Sequence, residues 1–152
     1  GQDGRKIITR SQHSLLNALF QSPGVICAKY STVFLFELLE SQGLKCNPFE
    51  HSSLDVCSMI EYHDELQLAV NPKLVEIKQF ENDAECNDFI SNWQGDQLGA
   101  KSELKNGKPC LALPNIVSRS IIEAIKMADD YVKLKVNLGC DWVVNKDWKG
   151  CH

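Results

Sequence analysis

The sequence predicts an α+β fold in which an antiparallel sheet packs on helices. Three observations support this prediction. Residues 55–70 form two strand-like runs around a polar triplet, residues 11–41 carry apolar side chains at helical spacing, and residues 71–114 read as strand, helix and strand. A chain of 152 residues with 43% hydrophobic content can bury a core, so we expect one domain, with or without an appendage.

Composition sets limits on partners and location. The net charge of −4 gives no bulk attraction for nucleic acid, so any phosphate contact must come from local basic groups. Seven irregularly spaced cysteines and the lack of a secretory segment favour a reduced, cytoplasmic setting. We expect no membrane partner, because no apolar run approaches about 20 residues. A start at Gly-Gln-Asp-Gly without Met suggests a fragment or a processed chain.

The central hairpin is predicted from alternating apolar residues. Leu66, Leu68 and Val70 alternate with polar or small residues, and a similar run precedes them from Val56 to Tyr62. The triplet His63-Asp64-Glu65 falls at the predicted tip. Two adjacent carboxylates suit oxygen-ligated Mg²⁺, which needs few protein ligands when phosphates supply others. The alternative is an ordinary solvated turn.

The amino-terminal segment offers candidate nucleic-acid contacts. Residues 1–10 are locally basic, with Arg5 and Arg10 as candidate phosphate contacts or simply solvated terminal side chains. Ser11 is a candidate N-cap, and the helix after it would place His13, Asn17 and Gln21 on one face at i, i+4 and i+8. Such a row could hydrogen-bond to minor-groove acceptors, or it could be an ordinary polar face.

The next segments complete the predicted core. Pro23-Gly24 is expected to interrupt the helix, a second helix over 25–41 is apolar enough to be buried, and Gln42-Gly43 should end it. A zinc site is disfavoured, since the spacing of the intervening cysteines and histidines (Cys46, His51, Cys57 and His63) has no paired C-x-x-C knuckle.

The second half of the chain adds a predicted subdomain, a helix and a strand. Residues 71–114 read as a strand over 74–80, a helix to Trp93 and a short strand at 110–113. Their default role is structural or partner-binding. Asn115 should cap a last helix, the alternation at 132–138 predicts a strand in the sheet of the hairpin, and two tryptophans, Trp142 and Trp148, should dock the tail.

Three blocks of the sequence resemble family A, or DNA polymerase I type, DNA polymerases, and most closely those of podovirus-like bacteriophages. They are Asp3-Gly-Arg-Lys with the helix from Arg10 to Ser22, the hairpin motif His63-Asp64-Glu65-Leu66, and the final helix, strand and tail ending in Cys151-His152. The resemblance covers roughly residues 1–70 and 115–152. Residues 71–114 depart from the family pattern, so they would be an inserted subdomain of unknown role.

The resemblance implies a C-terminal part of a polymerase palm and fingers base, with a palm-type sheet. It implies that Asp64 and Glu65 ligate Mg²⁺ in a two-metal site completed outside this chain, with His63 beside them. It also implies that the helix face of His13, Asn17 and Gln21 lies along the primer-template minor groove, and that His152 lies near the active site.

The implied partners follow from this reaction. They are primer-template DNA, dNTP and the remainder of the polymerase polypeptide or a split subunit, in the host-cell cytoplasm if the gene is phage-borne. Because one carboxylate pair cannot assemble the site, we expect the isolated chain to be inactive. Two alternatives remain: a non-catalytic module that docks a replication partner through residues 71–114, and an unrelated α+β domain whose triplet is an ordinary turn.

Overall fold

The computed structural model describes Gly4, Lys6 and residues 14–62, 65–103 and 107–147, without the side chains of 14–20, 62 and 103. The chain divides into two compact units. Unit 1 comprises Gly1–Ala69 and Ser120–Gly139, and unit 2 comprises Val70–Arg119 and Cys140–His152. Within the described residues, three α-helices and two small antiparallel sheets confirm the predicted α+β class. The predicted split into a palm part (1–70, 115–152) and an insertion (71–114) stays a prediction.

The first helix of unit 1 corrects one expectation. Helix α1 runs without interruption over Ser14–Ser41 and includes Pro23, where we expected a break. Proline lacks the N–H that would bond to the carbonyl of residue 19, which costs about 3 kcal/mol in a helix interior. Downstream apolar positions of the helix are buried, and this packing offsets the lost hydrogen bond. They are Ile26, Cys27, Leu35 and Leu39.

The end of α1 follows the prediction. Gly43 has φ 82°, the left-handed conformation that glycine adopts without steric cost. Its N–H donates to the Glu40 carbonyl at 2.9 Å, and the Leu44 N–H donates to the Leu39 carbonyl at 3.1 Å. This pair of hydrogen bonds is the Schellman arrangement, which satisfies carbonyls left open by the last helical turn.

The central hairpin forms as predicted, with one shift at its tip. Strand β1 spans Val56–Tyr62 and β2 spans Glu65–Val70, and the two form a two-stranded sheet. Glu65 is therefore the first residue of β2, whereas the sequence placed it in the turn. In β1, Val56 is fully buried but Met59 and Ile60 are exposed at 64% and 40%.

The predicted strand at 132–138 does not form. Helix α3 spans Ile116–Val132, and the residues after it are irregular. Val132 lies four residues after the buried Ala128 and is itself buried, so it continues the helical stripe. Lys133 then adopts φ 57°, and the Leu134 N–H bonds to the Asp129 carbonyl at 3.3 Å, which terminates the helix. The sheet of the hairpin consequently contains no strand from this segment.

An aromatic group and an apolar core hold unit 1 together. The rings of Tyr30 and Tyr131 pack in a tilted arrangement with centroids 4.4 Å apart, and the centroid of Phe34 lies 5.9 Å from that of Tyr131. Gln42 donates to the Ser120 hydroxyl at 3.1 Å. The buried apolar residues are Ile26, Cys27, Leu35, Leu39, Cys46, Val56, Ala124, Ala128 and Val132.

Unit 2 contains the strand-helix-strand order that the sequence predicted. A short 3₁₀ helix (Pro72–Leu74) precedes β3 (Ile77–Gln79), and α2 (Asp83–Asn92) is followed by β4 (Ser102–Glu103) and β5 (Pro109–Ala112). The strand order is β3-β5-β4, and both pairings are antiparallel. Asn82 caps α2 by accepting from the Glu85 N–H. Phe80, Cys86 and Leu111 form the buried cluster.

No helix in the described part of the chain is both long enough and apolar enough to span a bilayer.

Candidate functional site

The candidate metal motif lies where β1 turns into β2. His63 and Asp64 separate the two strands and lie outside the described residues. Glu65, immediately after them, is half-buried at the start of β2. Its Oε1 accepts a hydrogen bond from Gln67 Nε2 at 2.7 Å, since residues two apart on a strand point to the same face. The Glu65 carboxylate is thereby oriented by its own strand.

The described residue of this motif fits a magnesium ligand. Mg²⁺ takes oxygen ligands, and a carboxylate beside a turn supplies them. Ligating carboxylates usually accept further hydrogen bonds that fix their orientation, which the Gln67 amide does for Glu65. The predicted ligands are Glu65 and Asp64, of which Asp64 lies outside the described residues. Within the described part of the chain, no group of three or more His, Cys, Asp or Glu residues is placed to hold a metal ion.

The candidate DNA-contacting face lies partly on α1. Asn17 and Gln21 fall within the helix one turn apart, so both belong to one helical face, and the Gln21 side chain is exposed. Three other predicted contacts, Arg5, Arg10 and His13, lie outside the described residues, as does the terminal His152. Their proposed roles therefore stay predictions.

The carboxy-terminal tail packs within unit 2, as we predicted from the presence of Trp142. The Trp142 carbonyl accepts from the Ala100 N–H at 2.6 Å, and Gln97 Nε2 donates to the Cys140 carbonyl at 2.8 Å. The Ser102 hydroxyl reaches the Val144 carbonyl at 3.3 Å. Trp148 lies outside the described residues.

Unit 2 also contains an open surface pocket, hereafter the cavity of unit 2, that the sequence analysis did not identify. Its volume is about 390 Å³, and it lies among the start of β3, the end of α2 and the first turn of α3. Arg119 Nε donates to Asp96 Oδ2 at 2.7 Å, and the Trp93 indole N–H donates to the Asp96 carbonyl at 2.8 Å. The lining residues are Glu76, Trp93, Gly95, Asp96, Leu113, Pro114 and Arg119.

Burial changes the acidity of several thiols. It raises the pKa of Cys27, with a further contribution from the nearby Asp129 charge. Burial is also the main cause of a raised pKa at the other affected thiols, which are Cys46, Cys86 and Cys140. A raised pKa keeps a thiol protonated and unreactive near neutral pH, which argues against nucleophilic roles for these cysteines.

Comparison with known proteins confirms the resemblance to phage DNA polymerases. The chain is 40% identical to the DNA-directed DNA polymerase of Enterobacteria phage T3 over 70 residues, which is 45% of this chain and 9% of the relative. The polymerase of Escherichia phage T7 is 39% identical over 69 residues, 45% of this chain and 9% of the relative. That of Escherichia phage Phieco32 is 33% identical over 78 residues, 47% of this chain and 11% of the relative.

The chain resembles phage DNA-directed DNA polymerases. It spans only about a tenth of the length of these curated relatives. No protein-family model matches the chain. No solved structure gives a significant match.

Proposed function

We propose that this chain is the C-terminal portion of a phage-type, family A DNA-directed DNA polymerase. The complete enzyme would transfer nucleotides from dNTPs to a primer on a DNA template, within the host-cell cytoplasm. The observation that carries the proposal is the similarity to three phage polymerases at 33–40% identity over nearly half of the chain. The pairing of β1 with β2 supports it, since a hairpin would present the acidic residues of the predicted motif where the two strands connect.

The three residues of the motif His63-Asp64-Glu65 have distinct proposed roles. Asp64 would be the principal Mg²⁺ ligand, Glu65 would ligate beside it or orient the primer end, and His63 would support the turn. The ion, when bound, stabilises charge that develops on the transferring phosphoryl group. The Gln67 amide would hold the Glu65 carboxylate in one orientation, as its 2.7 Å hydrogen bond supports. Further ligands must come from outside this chain, because one adjacent acidic pair cannot complete a two-metal site.

The DNA would be held by α1 and the segment before it. Gln21, with Asn17 one turn earlier, would contact acceptors that all base pairs share in the minor groove. His13 would extend this row, and Arg5 and Arg10 would contact phosphates. Such contacts position a duplex without reading its sequence, as a replicative enzyme requires. His152 is proposed to lie near the site, by resemblance alone.

Primer extension tests the proposal. The pure 152-residue chain should incorporate no nucleotide, whereas the complete polypeptide from the parent gene should extend a primer in a template-directed, Mg²⁺-dependent reaction. Incorporation by the isolated chain would contradict the expectation that part of the metal site comes from outside this chain. Failure of the complete polypeptide to extend any primer-template would contradict the polymerase assignment itself.

A second candidate function is docking of a replication partner through residues 71–114. The cavity of unit 2 favours it, because most of its lining lies in this segment. Deleting residues 71–114 from the complete enzyme separates the two functions. Retained primer extension with loss of a specific partner supports docking, and loss of extension with retained partner binding contradicts it.

A further inference from the structure

We propose that the cavity of unit 2 binds a single lysine or arginine side chain presented by a partner protein. The inference does not rest on the polymerase assignment. It gives a ligand chemistry to a part of the chain for which the resemblance implies no role. Four features support it: the charge balance, the indole, the apolar walls and the size of the cavity.

The charge balance of the lining leaves one acidic group uncompensated. Asp96 is paired with Arg119 at 2.7 Å, so those two charges largely cancel. The Glu76 carboxylate has no hydrogen-bond or ion-pair partner among the described residues. Only its backbone is engaged, as the carbonyl accepts from the Leu113 N–H at 2.8 Å. The cavity therefore offers one available carboxylate to a cation.

The indole of Trp93 is held in place at the same cavity. Its N–H donates to the Asp96 carbonyl at 2.8 Å, and Gly95 packs so closely that a Cβ there would lie 2.6 Å from the indole Cζ2. The Phe89 ring also packs on this indole, with centroids 5.4 Å apart, and the part of Trp93 that lines the cavity can attract a cation placed there. Unit 2 already contains such a contact, because Lys78 Nζ lies 4.1 Å from the Phe89 ring centroid.

The remaining walls suit the stem of a basic side chain. Leu113 and Pro114 are apolar and lie beside the charged lining residues. Lysine and arginine bury their methylene groups against apolar surface and keep the charged head near polar groups. A volume of about 390 Å³ accommodates one such side chain.

An anionic ligand fits the same cavity poorly. Arg119 is ion-paired with Asp96 through its Nε, and a phosphate approaching its remaining N–H groups would also meet the carboxylates of Glu76 and Asp96. Like charges in one site repel, so a nucleic-acid phosphate is disfavoured here. The structure thus favours a basic peptide over DNA at this position.

Two-dimensional NMR of the ¹⁵N-labelled 152-residue chain tests the proposal with defined probes. The peptide acetyl-Gly-Arg-Gly-amide is titrated against the Trp93 indole N–H, which is assigned with Trp93→Phe. The same peptide with citrulline in place of arginine keeps the shape and removes the charge, and acetyl-Gly-Glu-Gly-amide reverses it. We expect saturable chemical-shift changes with the arginine peptide and about fivefold weaker binding of the citrulline peptide. The acidic peptide should not bind.

Two variants probe the charges separately. Glu76→Gln keeps the backbone hydrogen bond and should weaken binding of the arginine peptide about fivefold. The control Glu37→Gln, on the exposed face of α1, should leave this affinity unchanged. Arg119→Gln removes the cation that neutralises Asp96, so it should strengthen binding of the arginine peptide. An anion site would respond in the opposite way.

The results that would overturn the proposal are definite. They are equal binding of the arginine and citrulline peptides, preference for the acidic peptide, weaker binding in Arg119→Gln, or no shift at the solubility limit. Because primer extension is not measured, these outcomes leave the polymerase proposal untouched. Should Glu76→Gln lose its native spectrum, the Arg119→Gln titration and the citrulline comparison still decide.

Discussion

Gln67 donates a hydrogen bond to the Glu65 carboxylate at 2.7 Å, within one face of strand β2. Both residues belong to β2, so the strand itself orients the carboxylate that follows His63 and Asp64 in the sequence. A carboxylate fixed in this way loses less conformational freedom when it ligates an ion, so Gln67 is expected to influence a metal site that it does not itself enter.

The first prediction concerns this contact. In the complete polymerase, Gln67→Leu should raise the Mg²⁺ concentration needed for half-maximal primer extension by about tenfold, the lower end of the usual effect of removing such a partner. Extension at saturating Mg²⁺ should change much less. Gln79→Leu, at an exposed position of β3, is the matched control. An unchanged Mg²⁺ dependence would show that Gln67 does not influence the metal site.

The second prediction concerns the face of α1. Gln21→Ala should weaken primer-template binding by about 1–3 kcal/mol, the scale of a good direct contact, and should do so equally for templates of different sequence. Fluorescence anisotropy of a labelled primer-template measures this. Gln94→Ala, an exposed glutamine of unit 2, serves as control. If affinity is unchanged, the polar face of α1 is an ordinary solvated surface.

The third prediction concerns alkaline stability. Burial, together with the Asp129 charge, raises the pKa of Cys27 above its ordinary value of 9.0. The folded chain thus retains this proton more tightly than the unfolded chain. Its contribution to stability is complete below about pH 9 and declines as the pH rises from there through the folded pKa.

Urea unfolding at pH 7 and pH 10 measures the effect. Cys27→Ala lowers the free energy of unfolding at both pH values because it leaves a cavity. The fall between the two pH values should nevertheless be smaller in the variant than in the original chain. An equal fall would show that the thiol of Cys27 does not contribute to the pH dependence.

Local signals explain which parts of the fold could be predicted. Asn115 was expected to cap the last helix, and its Oδ1 accepts from the N–H groups of Val117 and Ser118, each at 3.0 Å. Gly43 was expected to end α1 and does so with a positive φ. Both features depend on a few neighbouring residues, so the sequence contains all the information that they need.

Tertiary contacts explain what could not be predicted. Pro23 breaks a helix on local grounds, and only the burial of Ile26, Cys27 and later residues shows why α1 continues. Residues 132–138 alternate like a strand, yet Val132 is used as the last buried position of α3. When the run is short, the spacing of its apolar residues does not by itself distinguish a strand from the end of a helix.

The two candidate sites also differ in whether they depend on local sequence or on tertiary contacts. The acidic turn could be proposed because its residues are adjacent in sequence, although His63 and Asp64 lie outside the described residues. The cavity of unit 2 could not, because it depends on the approach of Glu76, Asp96 and Arg119, which are separated by 20 or more residues each. Loop packing brings them together, and no local pattern encodes that.

The carboxylate of Asp64 provides the most direct test of the account. Asp64→Asn keeps the shape of the side chain and removes the charge that would ligate Mg²⁺. Asp130→Asn, at an exposed position of α3, is the matched control. Primer extension by the complete polymerase should be abolished in Asp64→Asn and normal in the control, with primer-template affinity retained in both. Near-normal extension by Asp64→Asn would contradict the account.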